Sequence, residues 1–110
     1  MIQNLNLIYD LYNRLLKIIK AENDQELQYI ISQVEISIRL VDDCLKETRD
    51  VKQYNELMLE LGAIYKSINT PRVGLSDYFI WCDNYDERLE VNESLDRVKN
   101  GLHNYLSRYI

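Results

Sequence analysis

One short segment of this sequence mixes carboxylate and aromatic side chains, residue types that can do acid–base chemistry or anchor a partner. The segment runs from Asn69 to Tyr85, holds the chain's only Pro, only Phe and only Trp, and leads into further acidic residues. Paired carboxylates work as general acid and base only when a cleft removes them from water. Because exposed helix faces offer no such cleft, we expect these side chains to bind a partner and not to catalyse.

The candidate binding surface combines aromatic anchors with uncompensated negative charge. Tyr and Trp are favoured at protein interfaces because they join a large apolar area to a polar tip. Asp86 and Glu90 are like charges one helical turn apart, which stability alone would not select. The alternative is an ordinary solvated helix face with ion pairs such as Asp42–Lys46. The candidate partner-binding residues are Asp77, Tyr78, Trp81, Asp83, Tyr85, Asp86 and Glu90.

The same segment has a second interpretation, as a lid over one end of a hydrophobic core. In that interpretation Phe79, Ile80 and Trp81 cover the open end of the core. If the segment is both lid and binding edge, Phe79 and Ile80 point inward and Trp81 or Tyr78 points outward. A lid and a binding edge can coexist in one connection, because successive side chains can face opposite ways. The composition of the segment leaves both interpretations open.

Other kinds of chemistry lack the residues they need. His103 is the single histidine and has no partner at catalytic or metal-ligand spacing, so we expect no metal, no cofactor and no enzymatic activity. Cys44 and Cys82 lack any CxxC spacing. We interpret them as reduced thiols of a cytoplasmic protein, with a disulfide between them as the alternative.

Charge and hydropathy exclude further classes of function. The net charge is −5, and a nucleic-acid-binding protein needs a basic surface instead. A membrane span needs an apolar run of roughly 18–20 residues, and none is present. We therefore expect no nucleic-acid partner and no membrane association, whereas a basic protein partner fits the charge.

Apolar residues recur every three or four positions in four stretches, which predicts four amphipathic helices. The predicted spans are 2–21, 24–48, 51–68 and 85–108. In the second helix the predicted core stripe is Leu27, Ile31, Val34, Ile38, Val41 and Leu45. The linkers after the first and second helices are short, which favours antiparallel neighbours. The chain is predicted to be one all-α domain, residues 1–110, forming an antiparallel four-helix bundle with a long irregular connection between helices three and four.

Polar residues at the predicted helix starts support these boundaries. Asn23, Asp50 and Asn84 are each followed at the third position by Glu or Gln, the spacing of a capping box. Gly62 and Gly101 lie inside predicted helices, where glycine costs about 1 kcal/mol relative to alanine. A close helix crossing is the usual reason for a glycine at such a position.

In size, acidity, helical plan and aromatic–carboxylate segment, the chain resembles bacterial immunity proteins. These are small cytosolic inhibitors paired with bacteriocins or contact-dependent toxins. The resemblance implies that the protein neutralises a cognate toxin domain, basic in charge and such as a nuclease, by covering its active site. The alternative function is a regulatory or structural helical adaptor, including a homodimer. That alternative would use apolar residues beyond the stripes, namely Leu7, Leu11, Ile18, Leu40 and Cys44.

Overall fold

The protein is all-helical in the computed structural model, which describes residues 2–47, 50–69, 74–75, 78–81 and 83–109. No strand occurs within these ranges. Short 3₁₀ turns at Gln25–Leu27 and Ser107–Tyr109 precede the second helix and follow the last one. The four helices are α1 at Ile2–Ala21, α2 at Gln28–Lys46, α3 at Val51–Ile68 and α4 at Tyr85–Leu106. The all-α prediction is confirmed, and α1 and α3 have the predicted ends. The second helix begins at Gln28 and not at residue 24, because a 3₁₀ turn precedes it, and α4 ends at Leu106 where a second 3₁₀ turn begins.

Two of the three predicted helix caps are present, and one is wrong. Asp50 forms a complete capping box with Gln53 at the start of α3, and Asn84 accepts a hydrogen bond from the Glu87 N–H. Before α2, Asp24 and not Asn23 caps the 3₁₀ turn Gln25–Leu27, and α2 itself has no side-chain cap. Asn23 instead adopts a left-handed backbone conformation with φ of 51°, so its side chain is not placed to cap. Asparagine tolerates this conformation, which turns the chain out of α1.

The helices enclose one core, and α1 and α3 each pack against both α2 and α4. The molecule is elongated, about 49 × 23 × 22 Å. The apolar residues that recur every three or four positions along α1 are all buried, namely Leu5, Ile8, Tyr12, Leu15 and Ile19. The stripe of α2 is rotated from the predicted one, because it buries Ile30, Ser37 and Cys44 and leaves Ile31, Ile38 and Leu45 only partly buried. No helix within the described ranges is long and apolar enough to cross a membrane.

Both glycines predicted to mark close crossings do so. A Cβ atom built on Gly62 would lie 2.5 Å from the carbonyl oxygen of Tyr109. A Cβ atom on Gly101 would lie 3.0 Å from both methyl groups of Leu11. Gly62 therefore lets the C-terminal 3₁₀ turn lie against α3, and Gly101 lets α4 approach α1.

The centre of the core contains a buried tyrosine hydroxyl. Tyr12 is fully buried, and its hydroxyl has no hydrogen-bond partner among the described residues. Burial raises the pKa of Tyr12 far above its usual value, and the neighbouring Ser37 hydroxyl offsets only part of that rise. Ser37 donates its own hydrogen bond to the Gln33 carbonyl at 3.1 Å.

Candidate protein-binding edge

The side chain of Asn92 on α4 binds the described part of the connection between α3 and α4 through its backbone. The Asn92 amide oxygen accepts from the Ile80 N–H at 2.9 Å, and the amide nitrogen donates to the Ile80 carbonyl at 2.8 Å. The same nitrogen also donates to the Arg88 carbonyl at 2.8 Å. Asn92 thus satisfies the backbone of a buried residue that belongs to no helix or strand.

Side chains in the segment that Asn92 binds alternate between the core and solvent. Ile80 is buried and Tyr78 is half-buried, whereas Phe79 and Trp81 are 59% and 69% exposed. The predictions for Ile80 and Trp81 are confirmed. The prediction that Phe79 points inward is wrong, because a segment with period-two alternation cannot send two consecutive side chains into the core.

Leu75 is the lid residue that the sequence did not reveal. It is 1% exposed and belongs to the same core as Ile68 and Ile80. The Tyr78 N–H donates to the Leu75 carbonyl at 3.1 Å, so a turn brings these two residues close together. A lone leucine between polar residues gives no periodic signal, so no sequence pattern could have indicated its burial.

Four large apolar side chains are exposed on this segment and on the start of α4, and we call them the aromatic edge: Phe79, Trp81, Tyr85 and Leu89. Tyr85 and Leu89 are 62% and 46% exposed and lie one turn apart on α4. The Arg88 guanidinium lies 4.3 Å from the Trp81 ring centroid and 5.3 Å from that of Tyr85. Such cation–π contacts hold the two rings in place before any partner arrives.

Carboxylates surround the aromatic edge on α4 and just before it. Asp83, Asp86 and Glu90 are exposed, and Glu87 lies beside them in the first turn of the helix. Of the predicted binding residues, Trp81, Asp83, Tyr85, Asp86 and Glu90 all lie on or around the edge. Asp77 lies outside the described residues.

Tyr78 has a different position from the other candidates, since it points toward the turn between α1 and α2. Its hydroxyl donates to an Asp24 carboxylate oxygen at 3.3 Å. Desolvation, followed by the negative charges of Asp24, Glu22 and Glu26, raises the pKa of Tyr78 to about 12. Tyr78 therefore links the connection to the first turn of the molecule.

Through Tyr78 the candidate site lies close to three carboxylates of the turn after α1, which we call the acidic turn: Glu22, Asp24 and Glu26. No sequence pattern connects these residues with the site. Glu22 also lines one cavity together with Glu90 of α4. Lys17 lines the same cavity, so Glu22 and Glu90 bring acidic groups of the turn and of α4 to one cavity that also holds a basic side chain. The residues are far apart in sequence, and only the packing of α1 on α4 brings them together.

A surface of opposite charge lies between α1 and α4. It is an open groove of about 280 Å³, lined by Leu11, Arg14, Lys17, Ile18, Ser94, Arg97 and Val98. Arg14 is paired with Asp10 at 3.0 Å. The net negative charge of the chain is therefore unevenly distributed over its surface, and the aromatic edge lies in an acidic part.

The remaining reactive side chains do not gather into a site. His103 is exposed, and its Nδ1 lies 3.4 Å from the Tyr65 hydroxyl. Cys44 is a buried free thiol, and Cys82 lies outside the described residues. Within the described ranges, no group of three or more His, Cys, Asp or Glu side chains could hold a metal ion.

Comparison with known proteins gives no relative from which a function could be transferred. No protein family model matches the sequence, and neither a curated protein nor a solved structure matches it significantly.

Proposed function

We propose that this protein is a cytoplasmic, non-enzymatic immunity protein that neutralises a cognate bacterial toxin domain by binding it at the aromatic edge. The observation that carries the proposal is the exposure of four large apolar side chains on one connection and the helix that follows it, with Arg88 against both Trp81 and Tyr85. Exposed apolar patches rimmed by polar residues mark interaction sites. The rings are also held by Arg88, so little side-chain freedom is lost on binding.

The charge around the edge favours a basic partner. Asp83, Asp86 and Glu90 flank the rings, and Glu22 of the acidic turn lines one cavity with Glu90. Such a field accelerates the encounter with a positively charged domain, which a cell that must protect itself rapidly would need. Carboxylates can also take the place of substrate phosphates in a nuclease site, so we propose that binding covers that site.

The arrangement of the helices that we infer for this function is an antiparallel four-helix bundle. Its support is the short linkers and the order of contacts between α1 and α4. Leu11 approaches Gly101, whereas Ala21 and Glu90 line one cavity further along. From the first contact to the second, the residue number increases along α1 and decreases along α4, so the two helices run antiparallel.

The alternative function, a homodimeric adaptor, has weaker support. Of its proposed apolar contacts, Cys44 is buried, and Leu11, Ile18 and Leu40 are partly buried against the protein's own core. Leu7 is 44% exposed. Most of the apolar surface assigned to a dimer is therefore used within one chain.

We expect the cognate toxin domain to be encoded beside the gene for this protein. The test is binding to the product of that neighbouring gene, measured by calorimetry and by rescue of growth. Asp86→Lys with Glu90→Lys should weaken binding at least tenfold, and salt should weaken wild-type binding. Trp81→Ala should weaken binding at least tenfold as well. Glu35→Lys, an exposed change on α2, is the control for altered charge and should bind like wild type. Equal binding by wild type and the edge variants would contradict the proposal.

A further inference from the structure

We propose that the partner binds the aromatic edge through an extended, basic segment that pairs with the backbone of residues 79–81 as an added β-strand. This inference rests on the proposed function, because it describes how the same edge would be recognised. Pairing of an extended peptide with an exposed strand edge is a recurrent mode of recognition, in which backbone hydrogen bonds supply affinity and side chains supply specificity.

The first support is that the segment around Ile80 has the properties of a strand. One amide group, that of Asn92, binds both the N–H and the C=O of Ile80. A residue presents both groups to one side when its backbone is extended. Side-chain burial also alternates from Tyr78 to Trp81 with the period of a strand. Asn92 thus occupies one edge of the segment as a neighbouring strand would.

The second support is the opposite edge of the same segment. In an extended chain the backbone groups of neighbouring residues point to opposite sides, so those of Phe79 and Trp81 point away from Asn92. These groups have no hydrogen-bond partner in the part of the chain that the structure describes. With respect to the described residues, the segment therefore has one paired edge and one unpaired edge, and an unpaired edge is a template for another strand.

The third support identifies the charge of the occupant. Asp83, Asp86 and Glu90 are exposed next to the segment, so an incoming strand that carries Lys or Arg gains attraction. A second copy of this chain would instead bring its own carboxylates toward them. A basic segment with apolar residues at alternate positions matches both the charge and the exposed rings of Phe79 and Trp81.

The probe is the acetylated and amidated hexapeptide Lys-Val-Lys-Val-Lys-Val, titrated into the full ¹⁵N-labelled protein. We expect the peptide to bind, to shift the emission maximum of Trp81, and to slow hydrogen exchange of the Phe79 and Trp81 amides several-fold. Replacing the second valine by proline keeps the charge but removes an N–H group, and should weaken binding at least tenfold. The Glu-Val peptide of equal length should not bind.

Protein variants separate backbone pairing from contact with the rings. Trp81→Ala removes a ring and keeps the N–H, whereas Trp81→Pro also removes the N–H in a segment that proline tolerates. The proline variant should bind a fluorescein-labelled hexapeptide at least threefold more weakly than the alanine variant. Asn92→Ala, which releases Ile80, should also weaken binding, while circular dichroism checks that α4 is retained.

Failure of this inference is distinguishable from failure of the proposed function. If the proline peptide binds like the valine peptide and the Phe79 and Trp81 amides exchange unchanged, strand pairing is wrong. Strand pairing is equally overturned if the Lys-Val peptide does not bind at millimolar concentration. A toxin domain that still binds at the edge would then leave the proposed function intact.

Discussion

The ionisation of Tyr78 gives a test of its contact with the acidic turn. Its pKa is raised to about 12 in the folded protein, against about 10 in an unfolded chain. The folded state thus favours the neutral phenol, so this contribution to stability is complete below pH ~10 and is lost as pH rises through ~12. In Tyr78→Phe, the urea concentration at the midpoint of unfolding should therefore fall less steeply between these pH values than it does in the wild type.

The control for this measurement is Tyr29→Phe, since Tyr29 is 56% exposed on the surface of α2. This variant should follow the wild-type pH profile, including the part that comes from the buried Tyr12. An unchanged slope in Tyr78→Phe would show that the tyrosine does not face Asp24 in solution.

Neighbouring residues of the connection should differ sharply in their effect on stability. Ile80→Ala removes a buried side chain and should lower the free energy of unfolding by about 2–5 kcal/mol. Phe79→Ala removes an exposed ring and should change it by less than about 0.5 kcal/mol. Urea denaturation followed by circular dichroism measures both. A large loss in Phe79→Ala would contradict its outward position.

At the scale of elements, the two helix glycines should respond differently to alanine. Both substitutions gain about 1 kcal/mol of helix propensity. At Gly62 the new methyl group meets the backbone of Tyr109, so overpacking of about 1–3 kcal/mol should outweigh that gain. At Gly101 it meets only the movable tip of Leu11, so Gly101→Ala should be neutral or stabilising.

Thermal unfolding of the two variants decides this prediction, with wild type as reference. We expect a lower Tm for Gly62→Ala and an equal or higher Tm for Gly101→Ala. The reverse order would mean that the C-terminal turn is free to move away from α3.

The helices themselves follow from local chemistry, and so they could be predicted. Asp50 and Gln53 cap α3 because the capping box needs only residues three positions apart. The predicted cap before α2 was wrong, because two adjacent polar residues could each have accepted the capping hydrogen bond or adopted the left-handed backbone conformation. Asn23 takes the left-handed conformation and Asp24 the cap, a choice that the sequence pattern leaves open.

At the scale of the whole molecule, the charge distribution predicts the oligomeric state. Two copies that met at the aromatic edge would bring Asp83, Asp86 and Glu90 of each chain together, and the net charge of −5 adds to the repulsion. We therefore expect a monomer of 13.2 kDa by sedimentation at low salt and micromolar concentration. A stable dimer at low salt would favour the adaptor function instead.

The sequence by itself determined the four helices and most of the residues that they bury, because short-range periodicity specifies these features. Only the tertiary structure decided that Asn92 fastens Ile80, that Phe79 faces outward, and that the acidic turn joins the site through Tyr78. These features depend on contacts between residues far apart in the chain. No local pattern records such contacts, since they arise only when the helices pack around a shared core.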